Sequence, residues 1–413
     1  VTPPPAGHLA SWIRARASRW TAELEELVAI PTGWRHAEGL ESARAWCTRR
    51  AKALGASVSR VPGQPRPEWL RESTSGGTSA CDAGDVLVIE GPDVATRGGL
   101  RVLIAGHLDT VHDPQGSFRA LGPEDGGVRR GPGAVDMKGG VVAALAALEA
   151  LHAGGIPLRW TLALNADEEM GSFASMDALR ALAGQHDVGL VIEPPMPDGG
   201  FVVSRPGAAQ FRIDAFGRAA HAGRDFAAGV SAVGLLASSI TAALALSDAE
   251  AGRIVNIGPL EGGDATNIVP DRASAWGAVR YRTRADGEQV GRALMSLARG
   301  LGDDVPRVGV TIVHNRPPKD ASPQVLGLAD AAIACARELG IATGAGTGST
   351  GGVSDANVLQ DAGLPCLDGL GVRGGNMHRS DEFIVTESVV ERASLLALLM
   401  SRLASLTSVP SRS

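Results

Sequence analysis

The chain has 413 residues, 44% apolar and 20% charged, with a formal net charge of -6. That balance excludes an extended disordered chain, and with no Lys/Arg stripe interleaved with aromatics it gives nucleic-acid binding no support. Four scattered cysteines (Cys47, Cys81, Cys335, Cys366) without a C-x-x-C pair argue against a disulfide scaffold, and a chain with no signal segment or long apolar run is expected to be cytoplasmic and free of membrane.

In chain order, Val1 to Gly7 reads as a disordered lead, and apolar residues at helical spacing from Leu9 predict a helix that ends at Ile30, before Pro31. Ala43 to Leu54 predicts a second helix and Val58 to Val61 a strand. The Pro-, Ser-, Thr- and Gly-rich stretch from Gly63 to Gly84 predicts a long surface excursion. Two strands follow, Asp85 to Glu90 and Arg101 to Ala105, then a helix from Gly140 to Leu151. Strand Leu158 to Leu164, helix Met176 to Ala183 and strand Val188 to Ile192 continue the alternation, which predicts an α/β sheet with chemistry beyond its strand ends.

Near Arg205-Pro-Gly207 the pattern changes. Strands at Gln210 to Phe216, Ile254 to Ile257 and Arg272 to Arg282, with helices Val230 to Leu246 and Gly287 to Leu301, predict a self-contained α+β domain. The expected division is therefore 1–206, an inserted 207–315, and 316–413. The last part carries helix Gln324 to Leu339, Thr350-Gly-Gly-Val-Ser-Asp355 with a helix to Leu359, strand Pro365 to Leu370, the segment to His378-Arg-Ser-Asp381, and a closing helix from Thr386 to Leu406.

The polar residues that follow strands are His107, Asp109, Asp136, Glu168, Glu169, Glu193 and His378. The i, i+2 spacing of His107 and Asp109 puts both on one face of an extended backbone, where a carboxylate can fix the tautomer of a metal-binding imidazole. Two histidines with several carboxylates and no cysteine form a donor set suited to zinc and compatible with manganese or cobalt, enough for two ions sharing a carboxylate. The competing readings are a solvated acidic loop for Glu168-Glu169, a turn carboxylate for Glu193, and a loop histidine for His378; they weaken together because the segments jointly complete one coordination set.

His107-Leu-Asp109, Gly133-Ala-Val-Asp136-Met-Lys-Gly-Gly140, Asp167-Glu168-Glu169-Met-Gly171, Glu193-Pro194, Gly217-Arg-Ala-Ala-His221-Ala-Gly223 and Met377-His378 resemble the di-zinc amidohydrolases that include glutamate carboxypeptidase, acetylornithine deacetylase, succinyl-diaminopimelate desuccinylase and aminoacylase. Thr350 to Asp355 and Ala278-Val-Arg280-Tyr281 resemble the glutamate carboxypeptidase branch. The resemblance implies a catalytic domain with a mixed central sheet flanked by helices, and an inserted ferredoxin-like dimerisation domain. It implies two zinc ions, with Asp136 bridging, His107 and Glu193 completing one site, and Glu169 and His378 the other. Asp109 would orient His107, and Glu168 would be the general base that takes a proton from a metal-bridging water.

By the same resemblance His221 reaches the partner's active site in a homodimer and steadies the oxyanion, while Asn267, Arg280 and Gly352 bind substrate. Arg280 has an equally open reading as an outward strand residue, and Arg316 is a further candidate. Two departures bear on substrate choice: the Pro65 to Gly84 segment has no counterpart in the family pattern, and Ser231-Ala232 stands where Asn-Ala is usual. The expectation is a dimeric metallohydrolase cleaving an amide beside a free carboxylate, as a glutamate-carboxypeptidase-like exopeptidase. The alternatives are an N-acyl amino acid deacylase, a dipeptidase, an aryl-amine or amidine hydrolase, and a non-catalytic binding protein on the same scaffold.

Overall fold

The computed structural model describes residues 6–33, 36–70, 84–92, 99–300, 302, 304–341 and 346–412. Residues 71–83, most of the predicted excursion and Cys81 with it, lie outside the described part, as do residues 1–5 of the lead. The described residues divide into two compact units, one drawn from those before 66, between 84 and 205, and from 319 on, the other from those between 206 and 318 together with 66–70. That Arg66 to Leu70 belong with the second unit was not legible in their composition.

The first unit is built on a six-stranded mixed sheet in the order Ser57–Val61, Val86–Glu90, Arg159–Asn165, Arg101–His107, Val188–Val191, Cys366–Leu367. The last four run parallel and the first two are antiparallel additions. The middle strands are buried on both faces, hence their unbroken apolar runs. Alternate residues feed two cores. Val102, Ile104, Leu162 and Leu164 pack with helices Gly139–Ala153, Ser388–Leu403 and Pro323–Glu338, and Leu103, Ala105 and Ala163 with Met176–Ala183 and Asp355–Asp361. Helix Gly139–Ala153 is apolar nearly all round because it lies deep in the larger core. Among the described residues no helix is long and apolar enough to cross a membrane.

The predicted helix from Leu9 is two helices, Ala6–Arg14 and Ala17–Val28. The indole of Trp20 donates to the Ile13 carbonyl at 2.9 Å and Arg16 leaves helical geometry (φ -118°, ψ 18°), so the ladder is interrupted where a side chain takes its acceptor. The strand predicted over Pro365 to Leu370 is regular only at Cys366–Leu367, with a single antiparallel bridge from Asp368 to Val202 beyond it.

The second unit has a four-stranded antiparallel sheet in the order Ile254–Gly262, Arg272–Tyr281, Gly207–Phe216, Arg307–Arg316. Helices Ala232–Leu244 and Arg284–Met295 pack against it through Leu236, Ala243, Val290 and Leu294. The succession βαββαβ with strand order 4-1-3-2 is ferredoxin-like. Strand Arg307–Arg316 was not predicted, because an edge strand with mostly half-exposed residues gives a weak alternation signal.

Candidate metal centre

Each functional segment of the first unit follows a strand end or opens a helix. Arg101–His107 delivers His107 and Asp109, 1% and 0% exposed, to the sheet edge. Asp136 sits in the wide turn Ala134–Lys138, where Asp136 (φ -118°, ψ 89°) and Met137 (φ -134°, ψ 31°) depart from helical values before helix Gly139–Ala153 begins. Gly133 opens that turn at φ +66°, and a Cβ there would meet Thr110 Cγ2 at 2.5 Å. Strand Arg159–Asn165 leads into the short turn Glu168–Met170, stopped by Gly171 at φ +94°. Glu193 follows Val188–Val191, and His378 is held at φ +65° in a turn closed by Asn376 and Arg379 bonding to Asp381.

These segments converge. Asp136 Oδ1 lies 3.2 Å from His107 Nε2, and its other oxygen, Oδ2, lies 3.5 Å from His378 Nε2. His107 Nε2 is 3.8 Å from Glu193 Oε1, and His378 Nε2 is 3.1 Å from Glu169 Oε2. Donor atoms of His107, Glu168 and Glu193 lie within 4.8 Å of one another, as do those of His107, Asp136 and Glu169. One carboxylate thus addresses two imidazoles with separate oxygens.

Asp109 departs from the simplest expectation. His107 Nδ1 is 2.9 Å from the backbone carbonyl of Asp109 and 3.4 Å from its carboxylate. The carbonyl accepts the Nδ1 proton, so Nε2 is the nitrogen turned toward Asp136 and Glu193 and the one that would bind a cation. The Asp109 carboxylate instead accepts the backbone N–H groups of Glu168 (3.3 Å) and Glu169 (3.0 Å). It joins the histidine strand to the acidic turn.

Two further acids, invisible to sequence reasoning, anchor the loops. Glu382 accepts three backbone N–H groups of the Asp136 turn. Asp355 accepts Asn165 Nδ2 at 2.6 Å and the Ser172 hydroxyl, on either side of Glu168-Glu169. No local pattern marks an acid that will accept from a distant loop; burial beside polar sequence is the only hint.

The electrostatics describe a site suited to cations. Burial and the neighbouring Asp136 push Glu169 up to about 8, and burial with the same neighbour holds Glu193 well above the carboxylate range. Burial alone would lower His107, yet hydrogen bonds to Asp109 and Asp136 hold it well above its ordinary value. Bonds to Asp136 and Glu169 push His378 up to about 11. Burial opposes ionisation of Asp136, but bonds from His107 and His378 carry it below the carboxylate range. Crowded buried carboxylates that draw protons onto themselves and their imidazole neighbours are what divalent cations would neutralise, and nitrogen and carboxylate donors without thiolate fit zinc or manganese.

Gly352, also in the first unit, is exposed; its carbonyl accepts from Arg205, whose Nε is paired with Asp368 at 2.7 Å. The remaining predicted residues lie in the second unit. His221 is exposed, and its short strand pairs with Ile268–Val269 while Ala222 N–H donates to the Asn267 carbonyl, so His221 and Asn267 are neighbours. Arg280 and Arg316 flank Ala208 in register across three strands, on one face of the sheet. Burial, then the charge of Arg316, lowers Arg280.

A mixed α/β fold with an acid-and-histidine centre at its strand ends defines a metal-dependent hydrolase, and the chain belongs to the peptidase family M20/M25/M40, whose model matches residues 103–402. Carboxypeptidase G2 of Pseudomonas sp. (strain RS-16) is 29% identical over 377 residues, 91% of this chain and 86% of that one. Succinyl-diaminopimelate desuccinylase of Methylorubrum extorquens (strain PA1) is 30% identical over 313 residues, 70% of this chain and 79% of that one. Among solved structures, the di-peptidase Dug1p from Saccharomyces cerevisiae superimposes with a TM-score of 0.74 at 13% identity, covering 97% of this chain and 99% of that one. This last likeness shows the fold.

Proposed function

We propose that the chain is a glutamate-carboxypeptidase-like exopeptidase that hydrolyses an amide bond beside a free carboxylate, using two divalent cations, zinc in the first instance. The observation that carries the reading is Asp136, whose two oxygens face His107 and His378 separately at 3.2 and 3.5 Å. His107, Asp136 and Glu193 would hold one ion, and Asp136, Glu169 and His378 the other. When bound, the ions supply Lewis acidity, polarising a carbonyl and acidifying water.

The chain's own residues then divide the work. Glu168, 9% exposed and within reach of the His107 and Glu193 donors, takes the proton of the attacking water as its oxygen bonds to the carbonyl carbon. It returns that proton to the amine nitrogen as the C–N bond breaks. Asp109 keeps the base in place through the backbone of its turn. Arg280 offers its guanidinium to the substrate carboxylate, while Arg316 is buried beside it. Asn267 and the Gly352 segment complete the substrate contacts, and His221 donates to the developing oxyanion.

Self-association belongs to this reading. The edge strand Ile254–Gly262 exposes Ile254 (52%) and Leu260 (59%), and helix Ala232–Leu244 exposes Val233 and Leu244, an apolar edge fit to pair with a second copy.

A second reading, removal of a dicarboxylic acyl group from an amine, is favoured by the desuccinylase relative. It moves the carboxylate to the other side of the scissile bond. Purified protein assayed for metal content and for hydrolysis of C-terminal glutamate, aspartate and neutral amino-acid amides beside N-succinyl and N-acetyl amines separates the two. About two ions per chain with glutamate release supports the first reading; release of succinate alone replaces it with the second.

A further inference from the structure

Glu382 lies four residues beyond His378 and is 1% exposed. Its Oε1 accepts the N–H groups of Val135 at 2.9 Å and Asp136 at 3.1 Å. Its Oε2 accepts the Gly133 N–H at 3.0 Å and a proton from His112 Nε2 at 2.6 Å. Four donors fill the lone pairs of a carboxylate, so the group is fully used where it stands. The turn it holds has left helical geometry at Asp136 and Met137, so the aim of the Asp136 side chain is fixed from outside the helix.

We propose that Glu382 is a positioning residue that sets the aim of the shared ligand Asp136 and thereby couples the two metal subsites. Glu382 shares one short segment with His378, so the turn that supplies the common carboxylate and the turn that supplies the late histidine are pinned to each other. Asp136 faces both imidazoles, so releasing its turn weakens both subsites at once. Loss of a ligand private to one subsite, such as Glu193, weakens that subsite alone. The inference rests on reading the cluster as a two-ion centre.

The test is calorimetric titration of Mn2+ into metal-stripped wild-type, E382Q, E382D, E193Q and E391Q proteins, with kcat and KM measured on each. In E382Q an amide NH2 faces backbone N–H donors, and affinity at both subsites is expected to fall at least tenfold, with kcat reduced, KM within about twofold, and activity recovered at high Mn2+. E382D keeps the charge but shortens its reach, and is expected to fall between E382Q and wild type. E391Q, the same change on an ion pair with Arg373, is expected to bind as wild type does. E382Q binding both ions as tightly as wild type, or losing only one subsite, overturns the proposal. Should E382Q fail to fold by circular dichroism, wild-type affinities in E382D overturn it instead. A wild-type protein that takes up no metal defeats the two-ion reading itself, a different result from the others.

Discussion

Asp109 shows how a single side chain gathers a site: its carbonyl sets the tautomer of His107 and its carboxylate holds two N–H groups of the turn that carries Glu168. Glu168 itself is the proposed proton carrier, so Glu168→Gln is expected to keep full metal content while kcat falls about 10^2- to 10^4-fold; turnover near wild type would remove it from that role. Elsewhere in the same unit, burial pulls Lys319 down to about 8, with its ammonium donating to the Val203 carbonyl. The folded chain therefore binds this proton more weakly than the unfolded one, so the cost is complete below about 8 and fades as pH rises to the ordinary 10.5. Wild type should gain on the order of 3 kcal/mol from this group between those limits. In Lys319→Met, urea unfolding across that range should lack this rise; parallel curves would contradict it. That His107, Asp109, Asp136, Glu168, Glu169 and Glu193 lie near one another was legible because they follow apolar strand runs or open a helix, whereas His378, in a loop after Gly374–Gly375, was marked only by the resemblance. Glu382 and Asp355 were not legible, since backbone N–H groups leave no mark on a sequence.

At the scale of elements, the wide turn before helix Gly139–Ala153 decides where Asp136 points. Gly133 makes it possible, and Gly133→Ala places a methyl on Thr110 and a side chain in left-handed backbone. The expected loss is roughly 2 kcal/mol of stability, with weaker metal uptake; an unchanged urea midpoint would show that the turn adapts. Periodicity found the central strands and most helices, because strands buried on two faces and helices on a sheet carry strong patterns. It missed Arg307–Arg316 and the break at Ala15-Arg16, where an edge position and one indole bond override the local signal. The tie between Trp276 Nε1 and the Trp69 carbonyl likewise joins residues far apart in the chain.

For the whole molecule, removal of metal by chelator should abolish hydrolysis and return of Zn2+ or Mn2+ should restore it; activity that survives exhaustive chelation would end the metallohydrolase reading. The proposed dimer predicts that wild type sediments at twice the chain mass and that Leu260→Lys, which puts a charge on the exposed edge strand, shifts it toward monomer. A wild-type monomer at micromolar concentration would leave His221 without a partner's site to serve.

The carboxylate of Glu382 reaches back across 249 residues to Gly133, and the whole of the second unit's main segment lies between them. On a ribosome, His107, Asp136 and Glu169 emerge long before the acid that holds the Asp136 turn. The nascent chain can form its first strands and helices, yet it holds no finished centre until the segment around His378 and Glu382 has emerged. On the proposed two-ion reading, the subsite that His378 completes can therefore form only in a chain whose second unit has already been made.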